Sequence, residues 1–357
     1  MKLIHCADIH LDSRMQTHMP ERQASARNAE ITKTFIRLTE YAKENGVRAV
    51  LIAGDLFDTQ RTSRNTVSMV LHAISATPEV DYLYLRGNHD EALSALADQD
   101  LPQNLKLFSD QWQTVCYDDV CIHGIEITAQ NACTLYDDIP LQAGRKNIVM
   151  LHGQVATQCG PDMINLQKLR GRNIQYLALG HLHTFQTETL HAGCVYCYPG
   201  CLEGRGFDEC GSKGFAVLNT DARQMVPDFV PFSKWELHRV EVDITGCLTN
   251  SAVYEIIKKK VAGLSCEDMV ECILTGHYTV DANLLESNLQ NLIAQDFYFS
   301  KVKNTSTLAI EPADYKNDIS LKGEFIRLVL ASDRTEEEKS VIIRTGLQAL
   351  SEEDITL

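Results

Sequence analysis

A chain of 357 residues is longer than one hydrophobic core usually supports, so two domains are expected. Its 44% hydrophobic and 23% charged residues are those of an ordinary globular protein, and no apolar stretch is long enough to span a bilayer. With 48 Asp and Glu against 33 Lys and Arg, the net charge of −15 repels a polyanion on average, so a nucleic-acid partner would need bound metal and a local basic patch.

The first expected strand, Lys2–Ala7, begins at once and leaves no room for a signal peptide, which predicts a cytoplasmic protein. It ends in Asp8-Ile9-His10. Residues two apart on a strand share a face, so this carboxylate and imidazole can meet one metal ion. A helix is predicted over 21–45, with Ile31, Phe35, Leu38 and Ala42 at helical spacing. Val47–Ala53 reads as a buried strand that breaks into Gly54-Asp55-Leu56-Phe57-Asp58. A carboxylate directly after the glycine can place one oxygen on each of two ions. Asp58 reads either as a residue behind the ligands or as the cap of a helix over about 63–76. The alternating run Tyr82–Leu85 then feeds the turn Arg86-Gly87-Asn88-His89-Asp90. Gly87 permits that turn, Asn88 offers a neutral ligand, and His89 is a proton donor held beside it.

From about residue 105 the helices thin out, and 105–108, 114–117 and 120–124 read as short strands of a second sheet, with His123 structural. The run 147–151 ends in His152-Gly153, and 176–179 ends in Gly180-His181-Leu182-His183. Two imidazoles on one side of a strand end are strong local evidence for metal. The glycine-rich stretch from Tyr198 to Gly214 carries Arg205 and Lys213, which suits a loop folded over a phosphate or a solvated turn. The 12 cysteines, in runs such as Val115-Cys116-Tyr117 and Val120-Cys121-Ile122, read as small buried hydrophobes. Cys194 and Cys197 have metal-knuckle spacing but no second pair at zinc-finger distance, so they too read as structural.

Two prolines between Val226 and Ser233 mark a boundary. The expected organisation is a catalytic domain over 1–232, an accessory α/β module over 233–334 and an acidic helical tail over 335–357. The strand ends together offer Asp8, His10, Asp55, Asn88, His152, His181 and His183. Nitrogen and oxygen donors without a thiolate suit two divalent ions, manganese first, with iron or magnesium after it. Asp8, His10, Asp55 and His183 are expected on one ion, and Asp55, Asn88, His152 and His181 on the other. Two such ions about 3.5–4 Å apart fit phosphoester hydrolysis, with His89 protonating the leaving oxygen.

The order Asp-x-His, Gly-Asp-x-x-Asp, Gly-Asn-His-Asp, His-Gly, Gly-His-x-His resembles the calcineurin-like metallophosphoesterase superfamily over residues 1–218. The resemblance implies an α/β four-layer sandwich of two packed mixed sheets flanked by helices. Ala7–Asp12, Leu177–His183 and the Pro199-Gly200 to Lys213-Gly214 loop look most like the SbcD-like DNA repair exonucleases, relatives of the Mre nucleases, in their YhaO-type bacterial branch. The C-terminal module then looks like a DNA-capping domain. Archaeal relatives carry a histidine where this chain has Asp58, so no exonuclease role is carried over to that position. The resemblance further implies DNA as substrate, an SbcC-like coiled-coil ATPase partner and a homodimer. The alternative is a phosphodiesterase or phosphatase for a nucleotide or other small phosphoester, which the acidic surface would suit. A non-catalytic adaptor is disfavoured because every ligand position and His89 are present.

Overall fold

The computed structural model describes residues 1–13, 15, 19–58, 62–88, 90, 100–279, 282, 284, 286–309, 315 and 317–350. His89, the expected proton donor, lies outside the described residues. The chain forms two compact units, Met1–Glu236 and Leu237–Leu357.

The first unit runs β1 (Lys2–Cys6), α1 (Glu21–Glu44), β2 (Val47–Ala53), α2 (Arg64–Ser75), β3 (Asp81–Leu85), β4 (Leu105–Leu107), β5 (Gln113–Tyr117), β6 (Val120–Gly124) and β7 (Lys146–His152). It continues with β8 (Gln154–Ala156), β9 (Met163–Asn165), β10 (Tyr176–Gly180), β11 (Gln186–His191), β12 (Cys194–Tyr198), β13 (Gly214–Asn219) and β14 (Asp228–Pro231). Helix α1 buries the Ile31, Phe35, Leu38 and Ala42 stripe that its spacing predicted. Helix α2 is capped by Ser63, whose hydroxyl accepts from the Thr66 amide at 3.1 Å. Asp58 is therefore not the cap; its amide instead bonds the Leu11 carbonyl at 3.1 Å.

Two six-stranded mixed sheets face each other, in the orders β14-β13-β1-β2-β3-β4 and β11-β12-β10-β7-β6-β5. Strand β4 belongs to the first sheet, parallel to β3 with Tyr82 opposite Leu105, and not to the second sheet as its place in the sequence suggested. Leu105 packs into the helix-covered face of the first sheet. A three-residue strand carries too little alternation to declare which sheet it joins. Between the sheets lie Leu51, Leu83, Ile122, Ile148 and Ala178, among others. Each large side chain buried there contributes roughly 1.5–3 kcal/mol, which holds the two rows of strand ends in fixed relation. Helices α1 and α2 cover the outer face of the first sheet. The outer face of the second is covered by Leu135 and Tyr136 from a turn region, Ile164 from β9 and Leu169 at the end of a 3-10 turn over Leu166–Lys168.

The cysteine reading needs one correction. Cys116 and Cys121 sit directly opposite each other in the β5–β6 hairpin and form a disulfide. Asp118 takes a positive φ of 41° in the two-residue turn between them, and that turn sets the register. Cys194 and Cys197 face opposite sides of β12, one toward the outer cluster and one toward the inter-sheet core, so they do not converge on a common ligand. Pro227 and Pro231 flank or end β14, an edge strand, where a missing amide donor is tolerated.

The second unit contains β15 (Leu237–Asp243), α3 (Asn250–Val261), β16 (Met269–Thr275), β17 (His277–Thr279), α4 (Glu286–Ile293), β18 (Phe299–Asn304), β19 (Thr307–Ala309), α5 (Leu321–Leu330) and α6 (Glu336–Leu350). Strands β15, β16 and β18 form a parallel sheet. Val253, Ile257, Leu289 and Ile293 pack against one of its faces. Helices α5 and α6 pair through Ile326, Val329 and Ile343. No helix among the described residues is long and apolar enough to cross a membrane.

Candidate metal centre

The parallel strands of both sheets deliver their C-terminal ends to one edge of the first unit. Beyond β1 and β2 the chain stays paired, with the Asp8 amide on the Gly54 carbonyl at 3.1 Å and the His10 amide on the Asp55 carbonyl at 2.9 Å. Asp8, His10, Asp55 and His181 all have positive φ, of 52°, 49°, 52° and 120°. Left-handed backbone in residues with a Cβ costs on the order of 1–3 kcal/mol each and persists only where its surroundings enforce it. Here the enforcement comes partly from the opposite sheet, since both Asp8 carboxylate oxygens accept from the His181 amide at 3.0 Å. Two glycines are required by close approach: a Cβ on Gly87 would lie 2.1 Å from Asp55 Oδ1, and one on Gly54 would lie 2.0 Å from His152 Nδ1.

These constraints gather six of the seven expected ligands through direct contacts, with His181 joined to them by its amide and its ring. His10 Nε2 lies 3.3 Å from His183 Nε2 and 3.6 Å from Asp55 Oδ2. His152 Nε2 lies 3.4 Å from the same Asp55 oxygen and 3.0 Å from Asn88 Oδ1. The His181 ring stands edge-on to His152 with centroids 5.5 Å apart. Two groups could each hold a cation: Asp8, His10 and His183, and Asp8, Asp55 and His152. Asp55 thus stands between the two histidine sets, and Asp8 belongs to both groups.

The donor chemistry fits cations. His152 Nδ1 is 2.9 Å from the Ala53 carbonyl, which only accepts, so the ring proton sits on Nδ1 and the Nε2 lone pair faces the Asn88 and Asp55 oxygens. Lone pairs aimed at one another repel unless a positive charge lies among them. Burial pushes the Asp8 carboxyl up to about 6; His152 opposes that rise and Asp55 adds to it. Buried anions packed this closely are what a pair of divalent ions neutralises.

Arg205 and Lys213 are not placed to meet a substrate phosphate. Arg205 is 6% exposed and its guanidinium bonds Glu209, with Nη2 to Oε1 at 2.7 Å. Lys213 is 3% exposed and its ammonium donates to the His183 carbonyl at 2.9 Å. The glycine-rich loop folds under the site, and its cations are spent on internal acceptors. Glu209 is the residue that sequence reasoning missed: its Oε1 lies 2.6 Å from His183 Nδ1. The one available signal was an Arg and a Glu four apart, 22 residues after the His-x-His pair.

A cleft of about 470 Å³, including open solvent, adjoins Asn88 and His152 and is lined by Arg86, Glu126, Thr128 and Asp162 among others. Arg86 Nε donates to Glu126 at 2.6 Å. The Asp90 carboxylate accepts from the Phe57 and Gly87 amides at 2.9 and 3.0 Å, fastening the turn that presents Asn88. His123 bonds Thr114 and Asn147 and is structural.

The model of the calcineurin-like phosphoesterase family matches residues 1–185. The chain belongs to that family. The metallophosphoesterase YhaO of Bacillus subtilis is 25% identical over 294 residues, covering 76% of this chain and 70% of that one. The DNA double-strand break repair protein Mre11 of Sulfolobus acidocaldarius is 25% identical over 386 residues, covering 96% and 97%. A solved dimetal phosphatase from Danio rerio is 13% identical with a TM-score of 0.40, covering 61% of this chain and 92% of that one. As a member of the phosphoesterase family, the chain carries residue groups of the kind that form dinuclear metal sites.

Proposed function

We propose that the protein is a dinuclear-metal-dependent phosphodiesterase that cleaves DNA, an exo- or endonuclease of the SbcD-like repair type. The observation that carries the reading is the convergence of His10, His183 and His152 on the carboxylates of Asp8 and Asp55, with Asn88 Oδ1 against His152. Asp8, His10, Asp55 and His183 would hold one ion, and Asp55, Asn88, His152 and His181 the other. Divalent ions held there, manganese by the donor set, would supply Lewis acidity for phosphoester hydrolysis. The chain's own contribution is orientation. Ala53 fixes the His152 tautomer, Asp90 and Gly87 fix the Asn88 turn, and the His181 amide fixes Asp8. His89, adjacent to Asn88 in sequence, is proposed to protonate the leaving oxygen.

DNA as substrate is supported by likeness to one DNA double-strand break repair protein Mre11 along 96% of the chain, second unit included; an SbcC-like ATPase partner, a homodimer and a cytoplasmic site of action are proposed with it. A specific observation favours the second reading, a nucleotide or other small phosphoester as substrate. The net charge is −15, and the two cations of the loop below the site are buried. The purified protein with manganese, assayed on labelled DNA and on a small phosphodiester, separates the two. Cleavage of DNA with a rate above that on the small ester supports the nuclease; cleavage of the small ester alone supports the alternative.

A further inference from the structure

The stretch between β12 and β13 holds two buried glutamates that face in different directions. Glu203 is turned toward α1, where it meets Arg27 at 2.7 Å. Glu209 is turned toward the site. It is 2% exposed, and both of its oxygens are engaged: Oε1 by His183 Nδ1 at 2.6 Å and Arg205 Nη2 at 2.7 Å, Oε2 by the Arg205 amide at 2.7 Å. Arg205 Nη2 also lies 3.1 Å from Nδ1, but the carboxylate is nearer and can only accept, so Nδ1 of His183 carries the proton and its Nε2 lone pair faces His10. Three further bonds reach the His183 carbonyl, from Lys213 Nζ at 2.9 Å, the Cys201 amide at 3.4 Å and the Cys201 thiol at 3.5 Å.

The other side of the site is braced differently. His152 is oriented by the neutral Ala53 carbonyl. The two histidines that would serve different ions therefore rest on different supports, one an anion and one a main-chain dipole. A carboxylate behind an imidazole both fixes its rotation and raises its strength as a donor, and loss of such a partner typically weakens metal binding ~10–100-fold.

We propose that Glu209 is a positioning residue that sets the affinity of one ion of the pair, the ion held by Asp8, His10 and His183, and leaves the other nearly unaffected. Arg205 keeps the carboxylate in place. The proposal rests on the dinuclear reading.

The test is calorimetric titration of the metal-free full-length protein with manganese, together with elemental analysis after gel filtration, for the wild type, Glu209→Gln and Glu209→Asp. The wild type is expected to take up two ions per chain. Glu209→Gln is expected to keep one binding step and to weaken the other ~10–100-fold. Glu209→Asp keeps the charge opposite Arg205 but withdraws it from Nδ1, and should weaken the same step by less. If Glu209→Gln does not fold by circular dichroism, Glu209→Asp is read by the same criterion. Two steps at wild-type affinity overturn the proposal. So does parallel weakening of both steps that tracks a lower melting temperature in EDTA, because that is the mark of a merely structural residue. Fewer than two ions on the wild type overturns the dinuclear reading, and the assignment of Glu209 with it.

Discussion

The contact between Arg27 and Glu203 offers the sharpest test of how the loop below the site is anchored. Both side chains are fully buried. Arg27 Nη2 lies 2.7 Å from Glu203 Oε2 and donates to the Gly204 carbonyl at 2.9 Å, and the guanidinium lies 4.8 Å from the centre of the Trp235 ring. Glu203 Oε1 accepts from the Thr34 hydroxyl at 2.7 Å and from the Lys234 amide at 2.8 Å. Glu203→Gln retains an oxygen for those two donors and nearly the same volume, but leaves Arg27 charged with no anion beside it. Removing one partner of a buried pair costs about 3–5 kcal/mol. For a unit of this size 1 kcal/mol corresponds to about 2–4 °C, so the melting temperature should fall by roughly 6–20 °C. Scanning calorimetry in EDTA reads that shift without interference from bound metal. The double variant Arg27→Met with Glu203→Leu should recover most of the loss, because apolar groups of similar volume are often neutral replacements for a buried pair. A shift below ~2 °C for Glu203→Gln, or a double variant as unstable as the sum of the singles, would refute the reasoning.

Three other outcomes are expected. Asp55→Ala removes the carboxylate that lies within 3.6 Å of both His10 and His152, so manganese content by elemental analysis should drop and hydrolysis should vanish; full activity would sink the bridging assignment. His89→Ala should retain its metal while turnover falls ~10²–10⁴, the usual loss for a general acid, whereas collapse of metal content along with rate would make His89 a ligand instead. Burial lowers the His5 imidazole from 6.5 to about 3. A depressed value means that stability is present above 6.5 and is lost as pH falls toward 3, at up to about 1.4 kcal/mol per pH unit. His5→Gln should flatten that limb in urea denaturation between pH 4 and 6.5, and an unchanged slope would show that His5 does not titrate on unfolding.

What the sequence made legible was whatever a short apolar run followed by Gly, Asp or His can encode. Val47–Ala53 was bounded to the residue, and the candidate ligands at the ends of β1, β2, β7 and β10 were proposed from that rhythm alone. Pairing was harder. Leu105–Leu107 has no neighbour written into it, and the Cys116–Cys121 bond depends on the register of a hairpin that only the Asp118 turn fixes. The loop cations were misread for a related reason. Arg205 and Lys213 look solvent-seeking beside so many glycines, and only folding brings Glu209 and the His183 carbonyl to them. The left-handed backbone at Asp8, His10, Asp55 and His181 left no trace in the residue types, because Asp and His there already had a reading as candidate ligands.

That backbone has an evolutionary consequence. The positions from which the proposed ligands project are set by main-chain geometry, which in turn is held by ladder bonds and by cross-sheet bonds such as the one between Asp8 and the His181 amide. The side chain at each position is a separate choice. A lineage could exchange an imidazole for a carboxamide, or a carboxylate for an amide, and alter which ion is preferred without rebuilding the scaffold. The architecture would then be inherited while the element it uses drifts with the supply in the cell.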